Sequence, residues 1–148
     1  MGHWGGLRPS ERIAALGALA CAGSLLLPWY GIELELFNGF SQTGLEAFTF
    51  AHAALVLTAL AALALIVRCG AGYVPPRPLS EGGALIAAGA WAGLIVAYSA
   101  IDRPSDIAGF GHVRLRYGVF VALAGAAAMV AGGLRLRALP RKMPATEV

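Results

Sequence analysis

Side chains able to do chemistry are sparse in this chain: eight Asp and Glu, three His and two Cys among 148 residues. The carboxylates that cluster are Glu33 and Glu35 in one polar segment, and Asp102 and Asp106 in another. Brought together, they could act as general acid and base, here on a lipid-like substrate, or present a negative docking face. His3, His52 and His112 are scattered along the chain, which argues against a three-histidine metal site. Cys21 lies in the middle of the first apolar run and Cys69 just past the inner end of the second, with no Cys-x-x-Cys, which argues against thiol–disulfide catalysis. No glycine-rich phosphate loop and no Ser/His/Asp grouping stands out, so neither a cofactor nor a metal is expected.

The elements that must position these residues are apolar. Hydrophobic residues make up 58% of the chain and charged residues 13%, with a mean hydropathy of +0.71; an ordinary soluble domain carries about 25% charged residues. Four runs free of charge, residues 13–30, 47–67, 82–101 and 117–134, are each long enough to cross a hydrocarbon core about 30 Å thick. The expectation is an all-α membrane protein: one domain of four transmembrane helices. The last run, mostly Ala and Gly, inserts best alongside the others.

Basic residues orient these spans. Arg8, Arg12, Arg68, Arg77, Arg135, Arg137, Arg141 and Lys142 fall on one side, and Arg103, Arg114 and Arg116 on the other. Basic flanking segments are retained in the cytoplasm, so both termini and the loop after Arg68 are expected inside, with residues 135–148 as a basic tail. The positive charge is divided among three segments rather than gathered in one patch, and gives no reason to expect nucleic acid.

Local signals fill in the connections. Ser10 is a candidate N-cap for the first helix, with Glu11 in its first turn. Pro28 loosens that helix, and Trp29 and Tyr30 suit a lipid–water interface. After Gly31 the period becomes two: Ile32, Leu34 and Leu36 alternate with Glu33 and Glu35. Asn38-Gly39 suits a type I′ turn, so residues 32–43 are expected to form an extracytoplasmic β-hairpin between helices 1 and 2. Val113, Leu115 and Tyr117 alternate with basic residues and hint at a further strand that joins it. His52 lies one to two turns inside the second span, within reach of water or Glu46. Three prolines, Pro75, Pro76 and Pro78, stiffen the inner loop, and Ser80-Glu81 caps the third helix. Gly89 and Gly93 form a GxxxG spacing in the third span, and Gly118, Gly125 and Gly132 line the fourth; Gly89, Gly93, Gly125 and Gly132 are the expected close-packing positions. Ser10-Glu11 and Ser80-Glu81 also hint at a two-plus-two duplication.

Leu27-Pro28-Trp29-Tyr30, a polar loop, and Gly44-Leu45-Glu46-Ala47-Phe48 together resemble a pattern in small, uncharacterised four-span bacterial membrane proteins. Ile101-Asp102-Arg103-Pro104 and the Tyr117-Gly118 entrance to the last helix are similar to that group as well. The resemblance implies a multi-pass protein of the bacterial plasma (inner) membrane and carries no activity. Claudin-like tetraspans share the topology, but the cysteine pair of their outer loop is missing here.

Three function classes follow. The expected one is a non-enzymatic interaction or accessory subunit that uses its outer cap, with Glu33, Glu35, Asp102 and Asp106 as the docking face. Its partners would be the lipid bilayer and a membrane protein or a second copy of the chain. A small-molecule transporter or channel component is the alternative. It would want an ionisable group deep in a helix, whereas Glu11 and Glu46 are boundary residues. A lipid-acting membrane enzyme is the third.

Overall fold

A computed structural model describes residues 7–33, 41–46, 50–76, 80–101 and 112–138. The chain is mostly helical: α1 (Pro9–Gly23), a 3-10 turn (Ser24–Leu26), β1 (Pro28–Glu33), β2 (Ser41–Thr43), α2 (Phe50–Gly70), α3 (Glu81–Ile101), β3 (His112–Leu115) and α4 (Tyr117–Ala138). Helices α2, α3 and α4 contain 21, 21 and 22 residues and are long and apolar enough to cross a membrane.

The first apolar run departs from the continuous helix expected over 13–30. Pro9 occupies the first helical position, where its missing N–H costs nothing, so Arg8 rather than Ser10 is the N-cap. Glu11 Oε2 accepts the Arg8 backbone N–H at 2.8 Å. The helix ends at Gly23, and Leu27 is already extended (φ −91°, ψ 156°), as the residue before a proline prefers. Pro28, Trp29 and Tyr30 therefore lie in a strand. At the other end of the next helix, Gly72 takes a positive φ of 94°, the Gly72 N–H bonds to Cys69 O at 3.0 Å and the Tyr73 N–H to Arg68 O at 2.9 Å. This pair of bonds is a Schellman stop. Ser80 caps α3, its Oγ accepting the Gly83 N–H at 3.1 Å.

The four helices form a closed ring of neighbours, α1–α4–α3–α2, with the contacts of α4 against α1 and α3 the most extensive. Glycine explains the closeness. A Cβ on Gly17 would lie 2.6 Å from Gly125 O, and one on Gly125 would lie 2.6 Å from Gly17 O. The same reciprocal approach joins Gly82 to Gly133 O at 2.6 Å and Gly133 to Gly82 O at 2.6 Å. Gly132 sits against Ser10 O (2.7 Å from its would-be Cβ) and Gly89 against Ala126 O (2.8 Å). The contacts recur every seven residues: Ser10 and Gly17 meet Gly132 and Gly125, while Gly82 and Gly89 meet Gly133 and Ala126. A seven-residue spacing keeps one seam facing its partner along both helices. Gly93 behaves differently. Its would-be Cβ meets nothing nearer than Ala126 Cβ at 3.9 Å, so the close approach runs through Gly82 and Gly89 rather than through the GxxxG pair.

Outward, the helices present large apolar side chains, among them Leu57, Leu60, Trp91, Leu94, Tyr98 and Phe120. A water-soluble bundle would bury such a set. Inward they present Ala14, Ala18, Ala59, Ala92 and Ala122 with Leu55, Leu85 and Met129. The close seams predict opposite signs for glycine substitutions. Gly125→Ala and Gly17→Ala should each lose about 1–3 kcal/mol through overpacking. Gly93→Ala should be tolerated. Gly23→Ala, in open helical space, should gain about 0.5–1 kcal/mol from helix propensity. Thermal unfolding in detergent measures all four. Equal losses at Gly125 and Gly93 would contradict the observed seam.

Candidate functional site

The sheet that caps one end of the bundle has the order β2-β1-β3, all antiparallel. The anticipated strand at Val113 and Leu115 forms and pairs with β1, placing Tyr30 opposite Leu115 and Glu33 opposite His112. On the other edge Gly31 pairs with Ser41 and Tyr30 with Gln42, so pairing between these segments begins at Pro28, ahead of Ile32. The Asn38-Gly39 turn, Glu35, Asp102 and Asp106 lie outside the described residues. Of the four candidate docking carboxylates, Glu33 is placed, on the central strand.

Successive residues of a regular strand point to opposite faces. Trp29 and Tyr30 are adjacent in β1, yet both are buried, at 0% and 2% exposure. The register of β1 against β2 shifts between Pro28 and Tyr30. Such a bulge re-aims side chains, and here it sends both rings down into the helices. The Trp29 Nε1–H donates to Ser24 O at 2.7 Å, the Ser24 hydroxyl donates to Cys21 O at 2.7 Å, and the Cys21 thiol donates to Ala122 O at 3.3 Å. A chain of hydrogen bonds thus runs from the sheet into the α1–α4 seam. The Tyr30 hydroxyl donates to Ser99 O at 2.7 Å, tying β1 to α3. Gly118 and Gly44 leave room for the indole: a Cβ at Gly118 would lie 2.6 Å from Trp29 Cδ1, and one at Gly44 would lie 3.0 Å from its Nε1.

His52 of α2 completes this junction. Its ring meets Trp29 edge-on, with centroids 4.8 Å apart and planes at 66°, and the residue is 2% exposed. Its position one to two turns inside the second span suggests reach to water or Glu46. Instead, Glu46 is exposed and turns back on its own loop, its Oε2 accepting the Thr43 N–H at 2.8 Å. Likewise Trp29 and Tyr30, expected at the lipid interface, are core residues of the cap.

The opposite end of the bundle gathers a second set of polar groups. Glu11 is buried, and Arg8 Nε lies 3.9 Å from its Oε1. Glu11 and Glu81 lie within electrostatic reach of each other and of Cys69, so the starts of α1 and α3 meet the end of α2. Among the described residues no group of three or more His, Cys, Asp or Glu could hold a metal ion. Cys21 and Cys69 are free thiols.

Comparison with known protein families, curated proteins and solved structures finds no match to the chain.

Trp29 is the residue on which the cap stands. Trp29→Ala should cost about 3–5 kcal/mol, in the range of large-to-small core changes, and should expose β1 amides to hydrogen exchange. Tyr30→Phe, which removes one hydrogen bond and keeps the ring, should cost about 1 kcal/mol. A Trp29→Ala protein as stable as the parent would show that the sheet does not depend on this ring.

Proposed function

We propose that the chain is a four-helix integral protein of the bacterial plasma membrane with both termini in the cytoplasm. It acts as a non-enzymatic interaction or accessory subunit through its outer cap. The observation that carries this reading is a three-stranded sheet fixed to the helix ends by Trp29 and Tyr30, with β2 and β3 at its edges among the described residues. Edge strands offer unpaired N–H and C=O groups, and an added strand is a common mode of recognition. The Arg116 N–H donates to Trp29 O, so alternation along β3 turns the N–H groups of Val113 and Leu115 toward its outer edge. Exposed Ser41 and Arg114 flank this platform.

Orientation rests on the basic residues, and membrane insertion on three helices of the required length and apolarity. Helix α1 is shorter, 15 residues or about 22 Å at 1.5 Å per residue. The turn at Ser24–Leu26 and the buried start of β1 complete its passage in this reading.

Two measurements test the proposal. In a cysteine-free background, a cysteine at Ser41 should react with an impermeant thiol reagent added outside intact cells, and one at Ala138 should not; the reverse pattern would overturn the orientation. For the cap, a photo-reactive residue at Ser41 or Arg114 should yield one and the same adduct in native membranes, lost on Glu33→Lys. Position Leu57, on the exposed face of α2, should give no such adduct. An adduct unchanged by Glu33→Lys, or none at either cap position, would remove the docking role.

A further inference from the structure

We infer that the arginines at the end of the bundle opposite the sheet form a binding surface for anionic phospholipid headgroups, which rests on the reading of the chain as membrane-spanning. Three contacts set this end in register. Leu7 lies against Gly70, Ser10 against Gly132, and Gly82 against Gly133 and Arg137. Arg8 and Arg12 at the start of α1, Arg68 at the end of α2, and Arg135 and Arg137 at the end of α4 therefore share one level of the bundle. All five are exposed. Among the described residues the acidic side chains at this level are Glu11, which is buried, and Glu81, which is half-buried. The surface that remains is cationic.

The arginines are also continuous with the apolar exterior. On α1 an exposed row runs Arg12, Leu16, Leu19. On α2 it runs Leu57, Leu60, Ala64, Val67 and ends at Arg68; on α4 it runs Leu123, Ala127, Ala131, Leu134 and ends at Arg135. Each row offers an acyl chain an apolar track and ends in a guanidinium, whose planar fork matches phosphate oxygens. A site for a small free anion needs guanidinium groups that converge. Here they are spread over three helices, as a plane of headgroups requires. The helix ends add to the attraction little or nothing, because α2 and α4 present their negative C-terminal poles at this level.

The full chain, purified in neutral detergent, would be offered equal amounts of phosphatidylglycerol and phosphatidylcholine and the retained lipid counted by native mass spectrometry. Phosphatidylglycerol should be retained in preference. Its advantage should fall about fivefold for each of Arg68→Gln, Arg135→Gln and Arg137→Gln, the effect of about one kcal/mol per charge near an anionic surface. Arg116→Gln, at the sheet end, should leave retention unchanged. Raising salt from about 0.15 M to about 1 M shortens the screening length from about 8 Å to about 3 Å and should erase the preference in the parent protein. Equal retention of the two lipids, or a preference indifferent to salt, overturns the inference even if no variant folds. Displacement of phosphatidylglycerol by millimolar inorganic phosphate would also overturn it, in favour of a site for the free anion. Release of the parent chain from membranes by alkaline extraction would instead defeat the membrane reading itself.

Discussion

Backbone-to-backbone contact of α4 with α1 on one side and α3 on the other is the constraint on which this structure depends. Lipid tails are as apolar as Leu, so burying Leu against Leu gains little in a bilayer; helices associate there through close van der Waals approach. Gly125 and Gly132 supply that approach toward α1, and Ala126 and Gly133 supply it toward α3. The two pairs are offset by one residue along α4, so one helix carries two seams. Helix α2 closes the ring with larger side chains, Leu55 and Ile66, and makes the lesser contacts.

The sheet inherits its position from the same seam. Trp29 bonds to Ser24, Ser24 to Cys21, and Cys21 to Ala122 of α4, and Gly118 admits the indole seven residues before Gly125. Each of these hydrogen bonds satisfies a polar group that would otherwise be costly to bury. A shift of α1 along α4 would break the chain and lift the platform. Cap and bundle are thus one unit, with the sheet held on the helices through α1, α3 and α4. The arginines mark the far end of that unit, where the same helices stop.

Much of this was legible in the residues. Unbroken apolar runs announced α2, α3 and α4, and the alternation at Val113 and Leu115 announced β3. The first apolar run continues through Leu25, Leu26 and Leu27 and reads as helix to its end, but Pro28 decides the backbone there. Trp29 reads as interfacial by type; the bulge that buries it depends on the register of strands distant in sequence. Gly89 and Gly93 stood out by their GxxxG spacing, yet the operative spacing is seven residues, and that pattern means nothing until the partner helix is known. Gly17 and Gly133 carry no distinguishing signal in the sequence for the same reason. Of the four candidate docking carboxylates, sequence proximity suggests a cluster, and Glu33 is the one that falls within the described residues.

The most direct test is magic-angle-spinning NMR of the glycine-labelled protein in lipid bilayers, with assignments made by single glycine replacements. Through-space cross-peaks between Gly17 and Gly125 and between Gly82 and Gly133 are expected, because each would-be Cβ lies 2.6 Å from its partner's carbonyl oxygen. Absence of both cross-peaks, with Gly125 and Gly133 in contact with lipid acyl chains instead, would contradict the account at its foundation.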